Sequence, residues 1–286
     1  MGAVKRRRSA LSCVLALALP SLAGEYMMRA DSPGFAGRPK PSSDAGNGVV
    51  RKAKWDMGRF SQTVSFFKGS PWKLLLPRFL QMGDKKAVRR SPSAQGPEEL
   101  LIDWGETDGL SVENTWGVLD DVVMGGVSSS SISVEGAGEW NERCLVFSGT
   151  TSRENNGGFC SFRSRLFTPP FNMSSYDGLV FKARCKDGLR YKIQLRDNTG
   201  WDSPGWSLGF DTVKGGKEVE ARIPFSKLIP NFRSQTLKDA EPLNLETISS
   251  IQFTLSAFDF DKAMNPAFKE GDFELRLGAL RLYSER

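Results

Sequence analysis

Two runs near the middle of the chain alternate apolar and polar residues with a period of two. In residues 179–186, Leu179, Phe181, Ala183 and Cys185 share one face, while Lys182, Arg184 and Lys186 share the other. Tyr191, Ile193 and Leu195 repeat the pattern against Lys192, Gln194 and Arg196. Successive side chains of a strand point to opposite sides, so this spacing predicts two half-buried strands rather than helix. Asp187-Gly188 lies between them, and its tolerance of positive φ predicts a tight hairpin. Such a hairpin sets Lys182 and Arg184 across from Lys192 and Arg196 as a basic ladder. Like charges directly opposite repel, so a solvated face balanced by Glu218 and Glu220 is expected.

Further strands are predicted at residues 144–148, 158–164, 219–223, 251–255 and 273–283, with Gly, Pro, Asn and Asp between them. No segment carries a long helical period, and residues 243–250 suit only a short helical turn. About eight short strands with long loops over roughly 185 residues predict an all-β fold, an antiparallel jelly-roll β-sandwich. The three cysteines of this region, Cys144, Cys160 and Cys185, fit no zinc ribbon and leave an odd thiol. Cys185 falls on the apolar face of its strand and is expected to be a buried free thiol.

Charge separates this β region from what precedes it. Of the 39 basic and 33 acidic residues, 18 basic and 5 acidic lie in residues 1–97, which leaves the remainder with a net charge of −7. Residues 1–24 have the order of a signal-type targeting segment: Lys5 to Arg8, an apolar run from Ala10 to Leu19, then small residues. That run is too short to span a bilayer. Residues 25–98 are rich in Arg, Lys, Ser, Gly and Pro, and read as a transit-peptide-like or linker region, making a largely disordered basic leader. Together the two suggest a bipartite plastid leader, with a mitochondrial presequence as the alternative. Residues 60–80 hold aromatic and aliphatic residues among Lys68, Lys73 and Arg78, with Pro71 and Pro77 limiting any helix. They read as a processed leader segment or as a basic amphipathic contact for a membrane or a partner groove. The folded domain is assigned to residues 99–286.

Composition also restricts the chemistry. There is no histidine, so no Ser-His-Asp or Cys-His nucleophile and no His-containing metal site can form within the chain. No GxGxxG follows a predicted strand. No catalytic residue, metal or cofactor is therefore assigned. The most distinctive run is residues 120–130, DDVVMGGVSSS. It lacks the Lys of a P-loop, and although paired acids can ligate a hard cation, acids that cap and solvate a glycine turn are the preferred reading. A second run, Asn155-Asn156-Gly157-Gly158-Phe159, predicts a tight turn feeding a strand. Trp201 and Trp206 flank a Pro-Gly loop, where aromatics either stack on a sugar or close one end of a sandwich.

Read in order, "VVMGGVSSS", "FSG", "NNGGFCSFRS", "YDGLVFKARCKDGLRYKIQLRD", "ARIPFSKLIP" and "FELRLGALRLY" resemble the complex I intermediate-associated protein family over residues 99–283. The resemblance implies a galactose-binding-like jelly roll. It also implies a non-enzymatic assembly factor, chaperone or accessory subunit whose partners are subunits or assembly intermediates of a membrane-bound redox complex. Related domains of photosynthetic organisms look linked to plastid complex biogenesis, some with a reductase-like fusion and association with messenger RNA. No such fusion is visible here, and nucleic acid is disfavoured as a partner. The long stretch at residues 259–271 departs from the family pattern. The alternative function is a carbohydrate- or small-ligand-binding jelly-roll module. Candidate interaction-loop residues are Asp121, Met124, Gly125, Gly126, Ser128, Asn155, Asn156, Gly157, Gly158 and Phe159, with Trp201 and Trp206 for the ligand-binding alternative.

Overall fold

The computed structural model describes residues 56–68, 98–104, 112–136 and 143–285, all within one compact unit, Lys52–Arg286. The signal-type segment, most of the leader and residues 69–80 of the basic aromatic stretch lie outside the described residues.

The alternation seen in the sequence becomes two seven-stranded antiparallel sheets. The first contains β1 (Glu98–Ile102), β3 (Ser129–Glu135), β4 (Cys144–Thr151), β6 (Gly178–Cys185), β9 (Val219–Pro224), β13 (Gly271–Leu277) and β14 (Leu280–Tyr283). The second contains β2 (Trp116–Val118), β5 (Phe159–Ser164), β7 (Arg190–Arg196), β8 (Gly205–Asp211), β10 (Ile229–Phe232), β11 (Gln235–Thr236) and β12 (Ser250–Ser256), in the order β11-β10-β8-β7-β12-β5-β2. Their inner faces share one core. Leu145, Phe147, Leu179, Phe181 and Leu275 come from the first sheet, and Phe162, Tyr191, Ile193, Leu195 and Phe253 from the second. Aromatic pairs join the layers: Phe147 meets Phe162 with ring centroids 4.9 Å apart, and Phe181 meets Phe253 at 5.6 Å. Each such ring contributes about 1.5–3 kcal/mol by leaving water. This is the antiparallel β-sandwich expected from the strand pattern.

The predicted hairpin around Asp187-Gly188 does not form. β6 pairs with β9, β13 and β14, whereas β7 pairs with β8 and β12 in the other sheet. Both strands have an apolar face, and these faces meet across the core instead of lying side by side. Gly188, at φ +66, turns the chain between the layers, and Leu189 is buried there. Lys182 and Arg184 therefore lie in a different sheet from Lys192 and Arg196. Lys182 stands opposite Glu220 and is 3.4 Å from Glu218. The single strand expected at residues 273–283 is broken, with β13 and β14 both running along β6 and Gly278 N donating to Lys182 O between them. Cys144, Cys160 and Cys185 are buried free thiols.

A helix joins the sandwich from the region assigned to the leader. In α1 (Met57–Lys68), Asp56 is the N-cap, its Oδ1 accepting from Gly58 N and Arg59 N at 3.0 Å. Phe60 and Thr63, three residues apart and so on one side of the helix, are both buried. Phe66 lies over Gly117 of β2 so closely that a Cβ there would sit 2.5 Å from its ring.

Candidate functional site

Between β2 and β3 the chain makes a 3-10 turn, Asp121–Met124, which ends in Gly125 at φ +87. Between β4 and β5 it turns again through Asn155 and Asn156, both in left-handed conformations, and through Gly158 at φ +120. Glycine and asparagine tolerate these angles better than other residues. The two turns meet on one carboxylate.

Asp121 is 0% exposed. Its Oδ1 accepts from Ser128 N at 2.9 Å, and its Oδ2 accepts from Ser128 Oγ at 2.5 Å, Gly158 N at 2.7 Å and Phe159 N at 3.3 Å. Ser128 Oγ in turn accepts from Ser152 N, and Asn155 Nδ2 donates to Gly125 O at 3.1 Å. The glycine pairs leave room for the carboxylate. A Cβ on Gly126 would lie 2.4 Å from Asp121 Oδ1, and one on Gly157 would lie 2.4 Å from Asp121 Oδ2. The residues named from the two sequence motifs thus form one cluster, with Met124 standing out of it at 56% exposure.

Asp120, at 1% exposure, turns to a separate set of donors. It accepts from Ser130 N at 2.9 Å, Ser130 Oγ at 2.6 Å and Ser161 N at 3.3 Å. Arg59 of α1 completes the set at 2.9 Å and also donates to Ser128 O. Burial pushes the Asp120 carboxyl up to about 6, against the downward pull of Ser130, Arg59 and Ser161. The two acids therefore do not cap and solvate a glycine turn, as the sequence suggested. They are buried and spend their oxygens on backbone and hydroxyl donors, because the turn would otherwise bury those donors unpaired. Among the described residues, no group of three or more His, Cys, Asp and Glu is placed to hold a metal ion.

Trp201 and Trp206 lie apart from this cluster and from each other's surroundings. Trp206 packs against the core. Trp201 lines the outer face of the second sheet, where the Arg163 guanidinium lies 4.6 Å from its ring and 4.7 Å from that of Phe67 in α1. Arg59 was not among the residues picked from sequence, whereas Phe66 and Phe67 fall in the stretch 60–80 read as a processed leader segment or an amphipathic contact, and here they meet Gly117 and Trp201. Nothing local marks the partners of these three residues, which lie about 50 to 130 residues away.

The profile described as Complex I intermediate-associated protein 30 (CIA30) matches residues 105–277. An uncharacterised protein of Schizosaccharomyces pombe is 24% identical over 191 residues, covering 64% of this chain and 83% of the yeast protein. The mouse (Mus musculus) protein named Complex I intermediate-associated protein 30, mitochondrial, is 29% identical over 174 residues. That match covers 55% of this chain and spans half of the mouse protein. Among solved structures, a family 11 carbohydrate-binding module from Clostridium thermocellum is 18% identical, with a TM-score of 0.46 over 65% of this chain and 95% of that one.

Proposed function

Because the chain belongs to the complex I intermediate-associated protein 30 family, we propose that it is a non-enzymatic assembly factor or accessory protein of an organellar membrane redox complex. It acts by binding subunits or intermediates of that complex. The observation that carries the contact site is the buried Asp121, which joins two loops into one rigid surface crowned by the exposed Met124. A preformed surface loses little conformational entropy when a partner docks, and exposed Met is adaptable in apolar contacts. The buried carboxylates already have several hydrogen-bond donors each, which suits a structural role better than proton transfer.

The leader composition favours a plastid address, whereas the name of the mouse relative supports a mitochondrial one. We take the mitochondrion as the better supported compartment. A fluorescent fusion of residues 1–97 tests it, and signal confined to plastids or to the secretory pathway contradicts it. The binding reading is tested by native electrophoresis of membranes from cells expressing the tagged full chain. Co-migration with partly assembled redox complexes is expected; migration only as the free protein is the contrary result. The sugar-binding alternative has little support in the site, since Trp201 is engaged by Arg163 and Phe67 while Trp206 packs against the core.

A further inference from the structure

One guanidinium closes the mouth of the loop that carries Asp121. Arg59 of α1 donates from Nη1 to Ser128 O at 3.0 Å and from Nη2 to Asp120 Oδ2 at 2.9 Å. These acceptors stand at the two ends of residues 120–128, on either side of the 3-10 turn and the exposed Met124. Ser128 is also a donor to Asp121, through both its N and its Oγ. Helix and loop pair therefore share one hydrogen-bonded network.

Elsewhere α1 is held mainly by its rings: Phe60 is buried, Phe66 covers Gly117, and Phe67 lies 5.1 Å from the ring of Trp201. A helix of 12 residues is marginal on its own in water, so α1 is helical because it is docked. Asp120 faces Arg59 from α1, Ser130 from β3, and Ser161 and the Cys160 thiol from β5, with Asp121 next to it in the chain. Burial holds the Cys160 thiol well above its ordinary range and so neutral. Asp121 turns its oxygens to Ser128, Gly158 and Phe159 instead. Among the described residues, Arg59 is thus the cation that answers the Asp120 charge.

We propose that α1 is a latch on the partner-binding loop pair, closed by the Arg59–Asp120 ion pair and loosened when Asp120 takes up a proton. It rests on the loop-pair contact proposed above and adds a control by pH. Burial raises the Asp120 carboxyl to about 6, and Arg59 is one of the groups that pull it back. By linkage, the ionised carboxylate holds Arg59, and α1 with it, more tightly than the neutral acid does. Arg59 keeps 31% of its side chain exposed and regains water readily on leaving, whereas an ionised Asp120 left behind is a buried, unpaired charge. The latch is therefore closed above pH 6 and loosens below it. The sandwich moves the other way, because burial outweighs Arg59 and the fold binds this proton more tightly than the unfolded chain does.

Amide hydrogen exchange of the full chain at pH 5 and pH 7.5 tests the proposal, each rate being taken relative to that of an unfolded chain at the same pH. Protection of residues 60–67 should be about tenfold lower at pH 5, while protection of β12 should not fall. Arg59→Gln, at a half-buried position, should give the low protection at both pH values. Asp56→Asn keeps a capping acceptor at the start of α1 and should retain the wild-type pH dependence. Equal wild-type protection at the two pH values, a parallel loss in β12, persistence of the pH dependence in Arg59→Gln, or its disappearance in Asp56→Asn overturns the proposal. If the wild-type chain co-migrates with redox-complex intermediates and α1 shows no pH dependence, the latch is wrong and the assembly reading stands. If it does not co-migrate, the assembly reading fails, and exchange in α1 still decides whether Asp120 controls the helix.

Discussion

Asp121 and its glycine neighbours show how a few residues fix a surface. The carboxylate holds four donors from two loops, so Asp121→Asn replaces an acceptor by an amide that confronts backbone N–H groups. Chemical denaturation should show a loss of about 3–5 kcal/mol. The paired glycines separate two kinds of requirement. Gly126→Ala puts a methyl 2.4 Å from the carboxylate and should cost more than the roughly 1 kcal/mol expected of Gly125→Ala, where only the left-handed backbone is strained. Equal midpoint shifts for the two would contradict this packing. Asp120 adds a pH dependence. Its folded-state value, about 6, lies above the ordinary 3.8, so the fold binds this proton more tightly than the unfolded chain does. The stabilisation is complete below about pH 4 and is lost as pH rises through 6, an effect on the order of 3 kcal/mol. Urea midpoints from pH 4 to 7 should fall more steeply for the wild type than for Asp120→Asn; parallel curves would refute the assignment.

At the level of elements, α1 packs against the domain although it lies in the stretch read as leader, since Arg59, Phe66 and Phe67 each reach a residue of the sandwich or its loops, and its retention in the mature protein is a prediction. Full chains truncated before Lys52 and after Lys68 should differ in melting temperature, with the helix-less form lower. Intact mass of the protein from its native membranes should place the mature N-terminus before Asp56; a start beyond Lys68 would contradict the retained helix. The sequence did not disclose α1, because its few aromatic anchors sit in a basic, Ser- and Gly-rich background and their partners are remote. Several strands with a buried face were legible, as in β6, β7 and β12, whereas β8, whose Trp206, Leu208 and Phe210 face the core in a strand with two glycines, was not. β3 was not, since it lies at the sheet edge and SSSISVE buries no side chain fully. The false hairpin has a related cause: period two identifies an amphipathic strand, but says nothing of whether its neighbour lies beside it or across the core. The Asp121 cluster could be anticipated from its two glycine pairs. The Arg59–Asp120 contact could not, because it joins segments 61 residues apart.

For the molecule as a whole, a sandwich closed around an aromatic core presents the Asp121-centred loop pair as the proposed surface for partners. Among the described residues no helix is long and apolar enough to cross a membrane, and the proposed contact with the redox complex is assigned to protein surface. The preorganised loop pair is the proposed contact with the assembling complex. Met124→Glu tests it most directly, because the side chain is 56% exposed and its replacement should leave the fold intact. With an unchanged melting temperature, the variant should lose co-migration with redox-complex intermediates on native gels while the wild-type chain retains it. Undiminished co-migration of Met124→Glu would rule out the loop pair as the contact surface.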